Sequence, residues 1–484
     1  MTAFIRSAAS LFSVVSIALF APTVRANPVS PLCSRDLAPQ IEAIVNRPNF
    51  ARSRFGILIQ TLRSRQTLFS RDADRFFIPA SNVKILTTAA ALQRLGSAYR
   101  IRTSVYGTNS PAGWRIRLVG RGDPSFSDRQ LQDLAQQLKR QGIQRISELV
   151  VEDGYFGREP LNPDWAIGDI SETYAAPVSS LILNENSLGF KLVPQGIGQP
   201  LKVEWDDPIE GSFWRIENRS RTVDAKAEES IGVGRDSSQP ILKVSGQLRT
   251  GAAPASYAVA VPNPGERFLR KFVRSLNAAG ITVARSSVSD QTVSTNGNEI
   301  AKIDSPPLNE LLKQANQFSD NLYAEVLLRT LGVQNSNLSG RTILEQSIAS
   351  LVTELNRLGI AKTEIVLSDG SGLSRQNWIT PTALVEILSS ISRQPTGSYF
   401  RESLSIAGVN GTLQSRFHNN PAKGITRAKT GTLTGVTALS GYIDPPNYES
   451  IAFSIMINQA PDSASVQRNA IDEIVGLLAR LRSC

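Results

Sequence analysis

Phe77-Ile78-Pro79-Ala80-Ser81-Asn82-Val83-Lys84 leads straight into an apolar stretch, residues 85–95, that stops at Gly96. Proline suits the position just before a helix or in its first turn, and glycine the position just past its end. The stretch therefore predicts a buried helix with Ser81 in its first turn. Ser81 and Lys84 are three residues apart, which puts both side chains on one helical face. The positive end of a helix favours an alkoxide or oxyanion. A lysine amine held there and shielded from water has its neutral form favoured, and it can then take the serine proton. Ser81 is the only serine three residues ahead of a lysine in the chain. Chance accounts easily for one such doublet in 484 residues, so the pair needs support from elsewhere.

On the N-terminal side, Leu37, Ile41, Ile44 and Val45 recur at helical spacing. Residues 55–62 and 67–69 read as two strands around the turn Arg63-Ser64-Arg65-Gln66. Residues 101–285 differ in character. They hold many short strand-like pieces broken by Gly, Pro, Asn and Asp, with clear helical patterns only over 127–140 and 266–279. Residues 193–244 alternate like an all-β module. Helical patterns return from Leu308, flank Ser319, and recur over 343–358. Residues 426–432, 438–443 and 450–458 read as a three-stranded meander. Ile471, Ile474, Val475, Leu478 and Leu481 then make a closing amphipathic helix, an apolar stripe that suits a core. No internal repeat is visible.

Two further motifs carry chemical groups. Ser319-Asp320-Asn321 sits between helical segments, where capping a helix is its ordinary use. Lys429-Thr430-Gly431-Thr432 sits on a strand, where a polar edge with a bulge is the ordinary reading. Glycine inside a strand costs stability unless something approaches the backbone closely. A strand bearing a lysine, two hydroxyls and a glycine suits a peptide that adds as an extra strand and ends in a carboxylate.

The chain has a single histidine, His418, in the polar stretch Arg416-Phe417-His418-Asn419-Asn420. Catalytic zinc normally takes two or three imidazoles, so no metal is expected, and no other cofactor. No Gly-x-Ser-x-Gly elbow accompanies the histidine, which argues against a Ser-His-Asp triad. A hydrolase built from this chain would use a lysine or a carboxylate as base. At the N-terminus, Arg6, the apolar residues 8–21 and Val24-Arg25-Ala26 fit a signal peptide over 1–26, with a retained anchor as the alternative. No later stretch is apolar enough, for long enough, to span a bilayer. Cys33 and Cys484 are the only cysteines. An even count in an exported chain invites a disulfide, which here would tie the two ends together. The formal charge is +10, or +8 once Arg6 and Arg25 leave with the signal segment. That favours anionic partners. There is no nucleic-acid motif, so export points to the cell wall instead.

The three motifs in this order resemble those of the multidomain, low-molecular-mass (class C) penicillin-binding proteins that act as D-alanyl-D-alanine carboxypeptidase/endopeptidases. Gly122-Asp123-Pro124, Ser179-Ser180-Leu181, Asn184-Glu185-Asn186, Asp369-Gly370-Ser371-Gly372-Leu373-Ser374-Arg375 and Gly408-Val409-Asn410-Gly411-Thr412-Leu413 extend the resemblance over nearly the whole mature chain. More than 230 residues separate Lys84 from Ser319, far more than in β-lactamases and similar to this family with its inserted domains.

The resemblance implies an α/β fold: a β-lactamase/transpeptidase-like α-β-α sandwich with an antiparallel sheet, plus β-rich inserted domains. The catalytic domain would comprise 27–104 and 286–484. The insertion would occupy 105–285, with a nested β module at about 193–250. Ser81 would attack the carbonyl between two terminal D-alanines, Lys84 would take its proton, and Ser319 would relay a proton to the leaving amine. Asn321 would hold Lys84 and a substrate amide. Lys429 would supply positive charge, Thr430 and Thr432 would bind the terminal carboxylate, and Gly431 would let the substrate strand close in. The backbone N–H groups of Ser81 and Thr432 would form the oxyanion hole. Ser371, Leu373 and Arg375 would line the acyl-side pocket. Trp165, Asp169 and Tyr174 resemble a segment that reads the amino-acid end of the stem peptide in some relatives. Packing is an equal reading for Trp165. Arg121, in a turn where glycine is usual, and Arg427 depart from the family pattern. Expected partners are peptidoglycan peptides and β-lactam antibiotics, in the periplasm or cell envelope. A serine β-lactamase or esterase would need a water-activating base that the sequence does not reveal. A catalytically weak wall-binding protein is the rival from another class.

Overall fold

The computed structural model describes residues 30–157, 159–291, 298–334 and 341–484. The expected signal segment 1–26 lies outside the described residues. Six antiparallel strands form the central sheet, in the order Ser405–Ile406, Thr426–Leu433, Val436–Ile443, Ile451–Asn458, Arg54–Thr61 and Thr67–Arg71. The N-terminal hairpin joins this sheet by pairing Arg54–Thr61 with Ile451–Asn458, nearly 400 residues away in sequence. Every residue of Val436–Ile443 and Ile451–Asn458 is buried. Helices cover both faces, so these central strands read as continuous apolar runs rather than alternating ones.

One face of the sheet carries the helices Val83–Leu95, Leu308–Gln317, Asn321–Val333, Ile343–Arg357 and Pro381–Ser392, whose apolar sides merge into one core. The other carries Leu37–Val45 and Ala464–Leu478. This is an α-β-α sandwich. Ile471, Ile474, Val475 and Leu478 of the closing helix are fully buried against the sheet. The chain ends meet: Leu32–Cys33 pairs in parallel with Leu481–Arg482, and Cys33 is disulfide-bonded to Cys484 with a Cα–Cα distance of 5.7 Å. Closing a loop this long restrains the unfolded chain by about 6 kcal/mol in the loop-entropy limit.

A second sheet contains Thr282–Val283, Arg145–Glu152, Trp114–Val119, Arg102–Thr108 and Asn298–Asp304, with Ser286–Ser289 also paired to Arg145–Glu152. The helices Asp128–Arg140 and Pro264–Ala278 pack on it through Leu131, Leu134, Leu138, Phe268, Phe272 and Leu276. This sheet starts before residue 105 and ends after 285, so the expected insertion boundaries cut through it. The reason is the Asn298–Asp304 strand. Its apolar residues Ile300, Ala301 and Ile303 do not alternate, because a bulge between Glu299 and Ala301 shifts the register, and its pairing with Arg102–Thr108 is what defines it. Arg121 donates from Nη1 to Arg102 O at 2.8 Å and to Ser104 Oγ at 2.9 Å, bracing the edge of the same sheet.

The β-rich module consists of two three-stranded sheets. One joins Ala255–Ala260, Ser187–Val193 and Lys202–Trp205; the other joins Ser230–Arg235, Ile241–Arg249 and Arg215–Val223. Phe190, Leu192, Leu242, Val244 and Val259 form the small core between them. That core draws in residues on both sides of the expected 193–250.

Candidate active site

Ser81 lies on the 3-10 turn Ala80–Asn82, which runs directly into the helix Val83–Leu95. The turn is tight. Ala80 has φ +49°, a left-handed conformation costly for a residue with a Cβ. Two glycines let neighbouring backbone press against it. A Cβ at Gly431 would lie 2.7 Å from Pro79 O and 2.9 Å from Asn82 Nδ2. A Cβ at Gly372, whose φ is +82°, would lie 1.9 Å from Ala80 O. Gly431 therefore breaks the rule against glycine in a strand because the strand touches the Ser81 turn.

Lys84 is fully buried. Its Nζ donates to Ser81 Oγ at 3.0 Å, to Asn321 Oδ1 at 2.6 Å and to the Ser371 carbonyl at 2.6 Å. These three bonds use all the hydrogens of an ammonium. Burial lowers its pKa from 10.5 to about 8, against the opposing pull of the Asp369, Glu325 and Asp320 carboxylates. Neutral amine is thus accessible near neutral pH, and the Ser81 contact then reverses, with the hydroxyl donating.

Ser319 sits between the helices Leu308–Gln317 and Asn321–Val333 with φ +61°. The capping task falls to Asp320, whose Oδ1 accepts from Tyr323 N at 3.2 Å, and Ser319 is left to face the cleft. Lys429 Nζ donates to Ser319 Oγ at 2.8 Å and to Thr430 O at 2.9 Å. Lys429 is also fully buried, and burial together with the charge of Lys84 holds its pKa well below the usual lysine value. Asn321 Nδ2 donates to Tyr174 O at 2.8 Å. Thr430 Oγ1 donates to Thr412 Oγ1 at 2.8 Å. The short strand Ser405–Ile406 pairs only with Arg427 and Ala428. From Lys429 onward the outer edge of Thr426–Leu433 has no partner strand among the described residues, an opening into which an extended peptide can add.

In front of Ser81 lies a cavity of about 750 Å³. Ser81, Ser319, Asn321, Leu373, Arg375 and Thr432 line it, and Asp164, Asp169 and Tyr174 form the facing wall. Ser371 is not on the cavity surface. It is fully buried, and its carbonyl holds Lys84. The left-handed Gly372 reverses the chain there, so Ser371 points inward while Leu373 and Arg375 point out. Asp169 and Tyr174 do face the cavity, joined by a bond from Tyr174 OH to Asp169 Oδ1 at 2.8 Å. Trp165 turns away into the core and donates from Nε1 to Asp369 Oδ2 at 3.0 Å. His418 is exposed and takes no part. Sequence reasoning assigned no role to Asp164, Thr412 or the two buried carboxylates Glu325 and Asp369. Thr412 and Asp369 lie within motifs that extend the resemblance, and Glu325 lies one helical turn after Asn321.

The chain matches the model of the D-Ala-D-Ala carboxypeptidase 3 (S13) family over residues 37–481. It is 31% identical over 443 residues to a D-alanyl-D-alanine carboxypeptidase of Actinomadura sp. (strain R39), covering 87% of this chain and 81% of the relative. It is 26% identical to the D-alanyl-D-alanine carboxypeptidase DacB of Haemophilus influenzae, covering 84% and 85%. Among solved structures, penicillin binding protein 4 (dacB) from Haemophilus influenzae superposes with a TM-score of 0.81 at 24% identity, covering 90% of this chain and 98% of that one. A predatory endopeptidase from Bdellovibrio bacteriovorus shares the fold at a TM-score of 0.52 and 16% identity, covering 88% and 93%. A family match across almost the entire described chain, joined to a serine on the cleft and a fully buried lysine on one helical turn, leaves one conclusion: this protein belongs to the D-Ala-D-Ala carboxypeptidase 3 (S13) family of serine peptidases.

Proposed function

We propose that Ser81 is the acylated nucleophile of this D-Ala-D-Ala peptidase and Lys84 its base. The observation that carries this reading is the fully buried Lys84 amine, 3.0 Å from Ser81 Oγ at the start of a helix. Neutral Lys84 takes the Ser81 proton as Oγ bonds to the carbonyl carbon between the two D-alanines. The backbone N–H groups of Ser81 and Thr432 receive the oxyanion. The C–N bond then breaks. The proton held by Lys84 is relayed through Ser319, bridged to Lys429, to the departing amine, which leaves both residues as they began and an acyl-enzyme on Ser81. Water attacks this ester and restores the hydroxyl. Thr430 and Thr432 take the terminal carboxylate, with Lys429 providing positive charge behind them. Gly431 keeps the strand close to the Ser81 turn. Asn321 holds Lys84 and meets a substrate amide, while Leu373 and Arg375 border the acyl side.

The same chemistry cleaves a cross-link when the leaving amine belongs to a second stem peptide, and the open edge of Thr426–Leu433 leaves room for that. Asp169 on the facing wall suits a cationic end of the stem-peptide side chain. A β-lactam presents the same carboxylate and a strained amide, and would acylate Ser81. Action at the cell wall requires export. The N-terminal sequence pattern and the Cys33–Cys484 disulfide support it, since disulfides persist in oxidising compartments.

Incubation of the mature protein with a fluorescent penicillin, read by intact mass, tests the core of this reading. A covalent adduct on wild type that disappears in both Ser81→Ala and Lys84→Ala is the expected result. A folded wild type that forms no adduct would sink it. Fast release of a penicillin adduct would favour a β-lactamase instead.

A further inference from the structure

The wall behind Lys84 contains a carboxylate that the reaction above does not use. Glu325 follows Asn321 by one turn of the helix Asn321–Val333, so both face the Ser81 helix. Asn321 holds Lys84 directly. Glu325 reaches it through the loop 369–375. Its Oε1 accepts from the N–H of Gly370 at 2.9 Å and from the N–H of Ser371 at 2.8 Å. The next peptide is held the same way: Gly372 N–H donates to Asp369 Oδ1 at 2.7 Å, while the Ser371 carbonyl accepts from Lys84 Nζ at 2.6 Å. Thr87 Oγ1, one turn after Lys84, donates to Gly370 O at 2.8 Å. Two successive peptides are therefore clamped, each with a carboxylate on its N–H and the lysine-bearing helix on its carbonyl. Gly370 makes the close approach possible, since a Cβ there would lie 2.9 Å from Leu328 Cβ and 3.1 Å from Ala324 O.

Both carboxylates are buried, Glu325 at 1% exposure and Asp369 at 0%. A buried ionised carboxylate is costly unless it is bonded and balanced. Around Glu325 the charged groups are Arg329 on its own helix, Asp369 on the loop and Lys84 on the Ser81 helix. Around Lys84 they are Asp369, Glu325, Asp320 and, from the sheet, Lys429. Burial pushes the Glu325 carboxyl up to about 7, and the charge of Asp369 adds to the rise. Glu325 and Lys84 thus change charge in the same pH region and titrate as a linked set.

We propose that Glu325 is a positioning residue that holds the Ser371 carbonyl on Lys84 and sets the pH range in which Lys84 acts as the base. The proposal rests on the reading of Lys84 as that base. A negative charge at Glu325 favours the ammonium form of Lys84, so removing the charge frees the amine at lower pH.

The test is the second-order rate of penicillin acylation against pH for wild type, Glu325→Gln, Glu325→Asp and Lys84→Ala, with the melting temperature of each. Glutamine keeps an oxygen for the two N–H groups and loses the charge. Its acid limb is expected about half a pH unit or more below that of wild type. Aspartate keeps the charge on a shorter arm, so it should react more slowly with its limb where wild type has it. A Glu325→Gln profile reduced equally at every pH, with its limb unmoved, overturns the proposal and leaves Glu325 a brace for the loop. If the glutamine variant does not fold, a displaced limb in Glu325→Asp overturns it instead, and an unmoved one supports it. Lys84→Ala separates the two levels: acylation as fast as wild type would defeat the base reading itself.

Discussion

The two walls of the cleft are built on opposite plans. The wall behind Ser81 is buried throughout: Lys84, Lys429, Glu325, Asp369 and Ser371 have almost no exposure, and backbone or side-chain bonds hold each of them. The facing wall, residues 164–174, is open. Ile167 is 86% exposed and Tyr174 46%, and only short turns connect them. Charges in the first wall cannot relax into water, so each shifts its neighbours. Charges in the second are screened and act mainly on what arrives. Proton transfer needs the first environment. Choosing among substrates needs only the second.

Substitutions on each wall should separate these roles. The largest effect belongs to Lys84→Ala, which should slow penicillin acylation by about 10³-fold or more in stopped-flow measurements, because Lys84 is the side chain that hydrogen-bonds Ser81 Oγ among the described residues. Next comes Gly431→Ala. Its methyl would press on Pro79 O and displace the Ser81 turn, with an expected loss of about 10²-fold in acylation for a protein that still folds. An unchanged rate would mean that the turn tolerates movement, and the contrast between a rigid and an open wall would weaken. The pH profile sharpens the same point. Lys84 must be neutral to accept the proton and its pKa is about 8, so acylation should rise about tenfold per pH unit below 8 and level off above it. The smallest effect is expected across the cleft. Asp169→Asn should raise KM about tenfold for a stem peptide with a cationic side-chain end, leaving kcat and penicillin acylation nearly unchanged. An equal loss on both substrates would place Asp169 in the chemistry and erase the division between the walls.

Legibility followed the same division. The helix carrying Ser81 and Lys84 was readable because its signals are local: a proline, a glycine and an apolar run between them. The strands 436–443 and 451–458 were readable because burial on both faces makes them strongly apolar. Asn298–Asp304 was not, since its apolar residues Ile300, Ala301 and Ile303 do not alternate and it is a strand only through its partner. The inward turn of Ser371 was also hidden. It depends on the left-handed Gly372 and on two carboxylates from distant parts of the chain. For Trp165 the sequence permitted both a cavity position and a core position. The bond to Asp369, 204 residues away, selected the core.

By itself the sequence determined which groups could do chemistry and which could not. One histidine left lysine or a carboxylate as the base, three motifs in order supplied the serines, the lysines and the hydroxyls, and two cysteines in a chain that reads as exported invited a disulfide. Those conclusions rest on residue type and short spacing, which survive without coordinates. Tertiary structure alone decided how each group would behave. Lys84 suits the proposed role of base because distant segments bury it and aim a carbonyl and an amide oxygen at it. Its basicity is the balance between lost water and nearby charge, and that balance exists only once the chain has folded.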